Sequence, residues 1–301
     1  MTFDRHSEAA FETVAAKALL AGGYEAIDAR IFDRERAIFP QVTLDFVRRT
    51  QAQAWGKLEA LHGGKTGERV LHDLCQWLDA HGALATLRHG FKCYGRTLRV
   101  AFFNAAHGLN KELEARYAAN RMGLTRQLHF SLKNGKSLDV TLSVNGIPLV
   151  TLELKNALTG QTVEDAMRQY RNDRDPRERI FDFKKRTLVH FAVDTEAVHM
   201  TTRLAGTATH FLPFNRGCDG AAGNPPDPQG RNYRTAYLWE EVLQARQPAR
   251  SAGSLSPSAN RGAAHGGRQE AEKGVARFPA LSPTPGRALH GVRRGERRTG
   301  A

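Results

Sequence analysis

Apolar positions in the middle of the chain follow the two-residue period of β-strands. Within residues 138–144, apolar side chains alternate with polar or small ones, as in a strand with two different faces. Residues 147–154 form a nearly continuous apolar run, as in a strand buried on both faces. Asn145-Gly146 stands between the two runs and is the strongest short signal for a hairpin turn. We therefore predict a central β-hairpin over residues 137–156.

Around this hairpin, other segments show helical spacing or further short apolar runs. We predict helices over residues 8–20, 41–61, 67–81, 109–119, 162–173 and from 237 onward. We predict further strands or hairpins over residues 90–103, 128–132, 188–193 and 198–203. Asp165, three residues after Thr162, comes close to a capping box and supports the start of the fifth helix. The chain therefore combines helices and strands in a mixed order.

Three charged residues interrupt the apolar hairpin, namely Asp139, Glu153 and Lys155. A charge inside a buried strand costs several kcal/mol unless it is paired or bound to a metal. Glu153 and Lys155 are two positions apart and are expected on one face of their strand. The position of Asp139 depends on the turn. A strict two-residue loop pairs Leu138 with Glu153, whereas one extra residue or a bulge brings Asp139 opposite Glu153. Pro148 cannot donate to a strand ladder and favours such an irregularity.

Two carboxylates brought together in this way predict a site for a divalent cation. They repel each other unless a cation lies between them, and hard oxygen ligands with open positions suit Mg²⁺. Lys155 beside that cation could orient or deprotonate a water and stabilise charge on a phosphoryl oxygen. The same three residues could also form a buried ion pair with no chemistry. A short D…ExK pattern does not separate the two explanations.

The formal net charge of +13 indicates a polyanionic partner, but its distribution limits that argument. Residues 246–301 carry eleven Lys or Arg against three Glu, so this segment holds eight of the thirteen net charges. The rest of the chain is only mildly basic. The chain has no apolar run of about eighteen residues and no charged-then-apolar leader, so we expect a cytoplasmic protein. The three cysteines have no metal-type spacing and are expected to be reduced.

The hairpin sequence SLDVTLSVNGIPLVTLELKN resembles the PD-(D/E)XK nuclease superfamily, and more closely the N-terminal restriction domain of the type I restriction enzyme R subunit. That family's stretch reads approximately D-V/I-x-L-x-V-N-G-I/L-P-L-V-x-x-E-L-K-N, and every one of those positions is filled. The Pro that often precedes the first Asp is Leu138 here. The likeness continues through LTGQTVEDAMRQYRNDRDPRE and LVHFAVDTEAVHMTTRLAG, and it covers most of residues 8–244.

The resemblance implies an α/β fold of the restriction-endonuclease-like kind, with a mixed central β-sheet flanked by helices, over residues 1–245. It implies Mg²⁺-dependent endonucleolytic cleavage of DNA, in a complex with modification and specificity subunits. It assigns catalysis to Asp139, Glu153 and Lys155. A Glu of the first helix often joins the metal site in such nucleases, and Glu12 matches better than Glu8. The alternative from another class is a non-catalytic domain that binds DNA or docks on the other subunits.

The resemblance also bears on the helix after the hairpin and on ATP. The family's Gln and Tyr motif falls on Gln169 and Tyr170, with Arg171 beside them, where it would support DNA cleavage. ATP serves the family's helicase motor, and we expect no ATP binding by this chain. The segment HGGKTG looks like the end of a phosphate-binding loop, but Glu59 replaces its first Gly and a predicted helix replaces its strand.

From Arg246 the composition changes to Gly, Ala, Ser, Pro and Arg, which predicts a disordered tail over residues 246–301. In the resembled family the preceding helix continues into a linker to the motor. Residues 245–256, back-translated and read one base later, are compatible with that linker. Our hypothesis is that a frameshift replaced the motor by an out-of-frame tail. Resequencing the locus and finding no in-frame motor sequence downstream would contradict it.

Overall fold

The computed structural model describes residues 7–103, 110–218, 221–230 and 232–245. Its helices are α1 (Glu8–Ala21), α2 (Pro40–Thr50), α3 (Ala52–His62), α4 (Thr66–His81), α5 (Ala83–His89), α6 (Lys111–Ala118) and α7 (Val163–Asp173). Its strands are β1 (Glu25–Ala26), β2 (Phe91–Cys93), β3 (Arg96–Leu98), β4 (Met122–His129), β5 (Ser137–Val144), β6 (Ile147–Leu154), β7 (Val189–Val193), β8 (Val198–Thr201) and β9 (Leu212–Pro213). The predicted disordered tail, residues 246–301, lies outside the described residues.

Seven of the described strands form one mixed sheet in the order β1-β4-β5-β6-β7-β8-β9. Neighbours from β4 to β6 and from β7 to β9 run antiparallel, whereas β1–β4 and β6–β7 run parallel. The parallel step from β6 to β7 requires a crossover, and α7 supplies it. The predicted α/β fold with a mixed central sheet and flanking helices is confirmed.

The central hairpin of β5 and β6 carries a β-bulge. Val144 pairs with Ile147 and Ser143 with Pro148, as a two-residue turn requires, but Leu142 pairs with Val150. Leu149 is therefore an extra residue in β6, directly after the proline that cannot donate to the ladder. Beyond the bulge the register is shifted by one position, so the predicted irregularity at Pro148 is confirmed.

Helices cover both faces of the sheet and the turn end of the central hairpin. On one face, Phe11 and Leu19 of α1 pack in a core with alternate residues of the central strands, such as Leu152. On the other face, Ala166 and Tyr170 of α7 pack in a second core. A third core, formed mainly by α2 to α5, closes on the turn end of the hairpin. The open end of the hairpin therefore lies between α1 and α7.

Three helical segments differ from the prediction. The helix predicted from residue 237 onward is a five-residue π-helix, Leu238–Val242, and α5 was not predicted. The segment predicted as a single helix over residues 41–61 forms two helices, α2 and α3, which meet at Gln51. The side-chain amide of Gln51 donates to the backbone oxygen of Arg99 and accepts from its backbone nitrogen, both at 2.8 Å. This pair of long-range bonds holds Gln51 outside helical geometry. Among the described helices, none is both long and apolar enough to cross a bilayer.

Candidate active site

The bulge determines where the two hairpin carboxylates lie. Val140 pairs with Leu152, and extending that register by one residue brings Asp139 opposite Glu153. The two carboxyls lie close enough for the charge of Asp139 to act on Glu153. Asp139 Oδ2 also accepts a hydrogen bond of 2.8 Å from the backbone nitrogen of Leu154. The open end of the hairpin thus holds two carboxylates side by side.

Glu153 is completely buried and is held by an arginine from the end of α7. Nε of Arg174 lies 2.7 Å from Oε1 of Glu153, and the two side chains are 2% and 0% exposed. Nη2 of Arg174 donates to the backbone oxygen of Ser137 at 2.7 Å. Oε2 of Glu153 is buried and has no hydrogen-bond partner among the described residues. One carboxylate oxygen is therefore fixed and the other remains available.

Burial and nearby negative charge raise the pKa of both carboxyls. Burial raises the pKa of Glu153 to about 8, the neighbouring charge of Asp139 adds to the rise, and Arg174 opposes it. Burial also raises the pKa of Asp139, with the Leu154 N–H and Lys155 acting in the opposite direction. A cation placed between the two groups would favour their charged forms.

Lys155 follows directly after β6 and lies near the entrance of the site. Its Nζ is 2.8 Å from Oε1 of Glu8, the first residue of α1, and the lysine side chain is 12% exposed. Nearby, Nδ2 of Asn156 donates to the backbone oxygen of Ser7 at 2.9 Å. The start of α1 is thus fastened to the end of β6, and Glu8 serves as the lysine's ion-pair partner.

Glu12 lies one turn further along α1 and connects to Asp139 through Gln127. Oε2 of Glu12 accepts from Nε2 of Gln127 at 2.9 Å, and the same nitrogen is 3.4 Å from Oδ1 of Asp139. Oε1 of Glu12 accepts from Nε of Arg126 at 2.6 Å. Gln127 has a φ of 48°, a left-handed conformation inside a strand that is uncommon for residues other than glycine. Such backbone outliers cluster at functional sites.

The three predicted supporting residues of α7 have different surroundings. Tyr170 is buried and its hydroxyl lies 2.8 Å from Oγ1 of Thr151, which also bonds Nδ1 of His190 at 2.8 Å. Burial lowers the pKa of His190 to about 3, so this histidine is neutral. Arg171 donates to the backbone oxygen of Thr209 at 3.1 Å, away from the carboxylates. Gln169 borders the same cleft as Lys155.

That cleft is shallow and polar and has a volume of about 290 Å³. It lies between α7 and the loop that follows β6. Its lining combines amides with both signs of charge and consists of Lys155, Gln161, Asp165, Arg168, Gln169, Asn172 and Asp173. Lys155 therefore lines an open polar cleft.

The donor set at the open end fits a hard divalent cation. Asp139 and Glu153 supply carboxylate oxygens, and Oε2 of Glu153 is a buried oxygen without a partner among the side chains described. Within the described part of the chain, no three His, Cys, Asp or Glu side chains are arranged to hold a metal together. The protein would therefore supply two side-chain ligands in this arrangement, and the third predicted ligand, Glu12, lies one hydrogen-bond step away.

Sequence reasoning missed two residues that shape the site, Arg174 and Gln127. Arg174 lies outside the hairpin. The whole of α7 separates it in sequence from its partner Glu153, so no local spacing links the two residues. The only signal was the requirement that a buried carboxylate have a partner. Gln127 faces the site because β4 pairs with β5, with Leu128 opposite Leu138. A correct pairing of β4 and β5 would have identified it.

Comparison with known protein families gives one match. A family model described as the type I restriction enzyme R protein N terminus matches residues 6–209, which is more than half of the chain. The matched range contains the hairpin, α1 and α7, and therefore every residue of the candidate site. No curated protein gives a significant match to the chain.

Proposed function

Because this chain belongs to the type I restriction enzyme R protein N-terminal family, we propose that it cleaves DNA as the Mg²⁺-dependent nuclease domain of a restriction-modification R subunit. The observation that carries this proposal is the buried pair of Asp139 and Glu153 at the open end of the bulged hairpin. A pair of buried carboxylates with one free oxygen is costly for a fold to keep without a cation.

In the proposed reaction, Asp139 and Glu153 would hold Mg²⁺ through their carboxylate oxygens, with Glu12 as a further candidate ligand. When bound, Mg²⁺ would supply Lewis-acid polarisation of a phosphoryl oxygen and a lowered pKa of water. Nζ of Lys155 donates a hydrogen bond to a phosphoryl oxygen of the DNA backbone and stabilises the negative charge that develops there. Lys155 must exchange its present partner, Glu8, for that oxygen. The amide of Gln169 lines the same cleft, and we expect it to orient the phosphate.

The protein partners proposed for the domain are the modification and specificity subunits of a type I complex. The family description supports membership of such a complex. We propose DNA as the substrate without assigning it a sequence preference, because the proposed contacts reach phosphate groups and phosphate contacts carry no sequence information.

A second candidate function, a non-catalytic domain that binds DNA or docks on the other subunits, is favoured by the closed ion pairs at the site. Lys155 is paired with Glu8, and Glu153 with Arg174, as a purely structural network would require. In that case the charges stabilise the packing of α1 and α7 on the sheet, and no metal is needed.

A plasmid-nicking assay separates the two functions. The purified chain is incubated with supercoiled plasmid and Mg²⁺, and compared with Asp139→Ala and with Asp175→Ala. Asp175 is a matched control because, in the described part of the chain, its side chain forms its ion pair with nearby Arg177 near the surface. We expect nicking by the native chain and by Asp175→Ala, and none by Asp139→Ala or with a chelator. A gel shift of DNA that is equal with and without metal, and no nicking, would favour the binding domain.

A further inference from the structure

Arg174 is fixed on three sides beside the proposed metal site. Its Nε donates to Oε1 of Glu153 at 2.7 Å, and its Nη2 donates to the backbone oxygen of Ser137 at 2.7 Å. Its guanidinium lies 5.7 Å from the centre of the Phe130 ring. The side chain is 2% exposed and follows directly after the last residue of α7. The guanidinium therefore has little freedom to leave Oε1.

This arrangement makes the two oxygens of Glu153 unequal. Oε1 already accepts a charged donor, whereas buried Oε2 has no partner among the described residues. A carboxylate that binds a cation with both oxygens must turn both toward the same ion. The guanidinium beside Oε1 disfavours this, because it uses one acceptor site of that oxygen and its positive charge repels a second cation. Glu153 therefore favours ligation of a cation through Oε2 alone.

The number of oxygens that a carboxylate offers distinguishes calcium from the smaller ions. Ca²⁺ takes six to eight oxygen ligands and often binds carboxylates through both oxygens, whereas Mg²⁺ requires a near-octahedral shell of shorter bonds. We infer that Arg174 is a specificity-determining residue for the metal: by bonding Oε1 it favours ligation through Oε2 alone and so disfavours Ca²⁺ relative to Mg²⁺ and Mn²⁺. This inference rests on the proposed function, because it assumes that a cation binds between the carboxylates.

The test measures binding of Mn²⁺ and Ca²⁺ to the full chain by titration calorimetry, without DNA and without an activity readout. Arg174→Met removes the donors but keeps an unbranched side chain against Phe130. We expect Mn²⁺ affinity to fall by about tenfold, as when a group that orients a metal ligand is removed. Ca²⁺ affinity should hold or rise, because both oxygens of Glu153 become available. The ratio of Ca²⁺ to Mn²⁺ affinity should therefore increase by about tenfold.

Two further variants make the result decisive. Arg174→Lys keeps the positive charge near Oε1 and should increase the ratio of Ca²⁺ to Mn²⁺ affinity less than Arg174→Met does. If Arg174→Met does not fold, Arg174→Lys provides the test. Arg177→Gln, three residues along and paired with Asp175 in a largely exposed position, should leave the ratio unchanged.

The outcomes distinguish this inference from the proposed function. If the native chain binds neither cation, the proposed metal site itself is overturned. If the native chain binds Mn²⁺ and the ratio is the same in every variant, the role of Arg174 in selectivity is overturned and the metal site stands. An equal loss of affinity for both cations in Arg174→Met would assign to Arg174 a structural role alone, and would also overturn the inference.

Discussion

Each end of the central hairpin buries a polar side chain, Asn145 at the turn and Glu153 at the open end, and the two differ in how their polar atoms are paired. At the turn, Nδ2 of Asn145 donates to the backbone oxygen of Val100 and to Oδ1 of Asn120, at 2.8 and 2.9 Å. Oδ1 of Asn145 accepts from the backbone nitrogen of Arg121 at 2.7 Å. At the open end, Glu153 keeps one buried oxygen without a partner among the described residues and has a raised pKa.

The difference shows what each end of the hairpin can do. A buried polar group whose donors and acceptors are all paired stabilises one conformation and has nothing left to bind a ligand. A buried carboxylate with a free oxygen carries an unrelieved cost, which a cation would offset. The same hairpin therefore contains an architectural end and an end suited to chemistry.

The largest expected effect concerns Lys155 at the open end. In Lys155→Ala, we expect cleavage to fall by roughly two to three orders of magnitude, because a donor to the developing phosphoryl charge is lost. Glu8→Gln is the matched control, since it breaks the same ion pair but keeps the lysine. Plasmid nicking and melting temperature with Mg²⁺ are measured for both variants. Equal losses of stability, with cleavage unchanged by either variant, would show that the pair is structural.

The pH dependence of stability should also differ between the two ends. Burial raises the pKa of Glu153 from an ordinary value of about 4.5 to about 8, so the folded chain holds a proton that the unfolded chain releases. The contribution of Glu153 to the free energy of unfolding is complete below about pH 4.5 and is lost as the pH rises through about 8. The loss should be on the order of a few kcal/mol.

Chemical denaturation with a chelator present, repeated across that pH range, measures this effect. Glu153→Gln has no carboxyl at this position, and its stability should fall less steeply with rising pH than that of the native chain. Parallel pH profiles for the two proteins would contradict the raised pKa. Adding Mn²⁺ should flatten the native profile, because a cation favours the ionised carboxyl.

At the turn end, Asn145→Gly should destabilise the protein by about 2 kcal/mol, because the buried partners of the amide lose their hydrogen bonds. Glycine retains the positive φ of 49° found at Asn145, so backbone strain does not contribute. In contrast, Asp139→Asn at the open end should leave the metal-free stability unchanged or raise it, since Asn removes a buried charge and can still accept from the Leu154 N–H. Denaturant unfolding with chelator compares the two. A larger loss in Asp139→Asn would reverse the assignment of the two ends.

The smallest expected effect tests whether Glu12 belongs to the open end. Glu12→Gln should reduce Mn²⁺ affinity by about tenfold if Glu12 ligates the ion or acts on Asp139 through Gln127. Glu8→Gln should leave the affinity unchanged, because Glu8 contacts Lys155. Titration calorimetry of both variants decides between the two glutamates. A reduction in Glu8→Gln alone would move the third ligand to Glu8.

Much of the central architecture was predictable because its signals are local. Asn145-Gly146 fixes the turn, the apolar alternation fixes the strands, and Pro148 indicates the irregularity that the register shift confirms. The boundary between α2 and α3 was not predictable, because Gln51 neither breaks helices nor interrupts the apolar spacing. Its partner, the backbone of Arg99, is distant in sequence.

The candidate site was predictable only in the part that the hairpin contains. Asp139, Glu153 and Lys155 were named from charges in an apolar stretch, and their roles remain predictions. The contact of Arg174 with Glu153 was not predicted, because it depends on how α7 crosses the sheet. Arg171 donates to the backbone oxygen of Thr209, and its supporting role stays a prediction. Side-chain direction at the end of a helix depends on tertiary packing, which no local pattern records.

The bulge at Leu149 also has an arithmetical meaning. Across a two-residue turn, residues that face each other are always separated by an odd number of positions along the chain. Asp139 and Glu153 are separated by an even number, so they can face each other only if the hairpin contains an odd number of extra residues, and Leu149 is the one it has. The even spacing of Asp139 and Glu153 in the sequence therefore predicts a bulge in any hairpin that brings them opposite each other. Apart from removal of the extra residue itself, a single-residue insertion or deletion between the carboxylates would send Glu153 to the opposite face of the sheet.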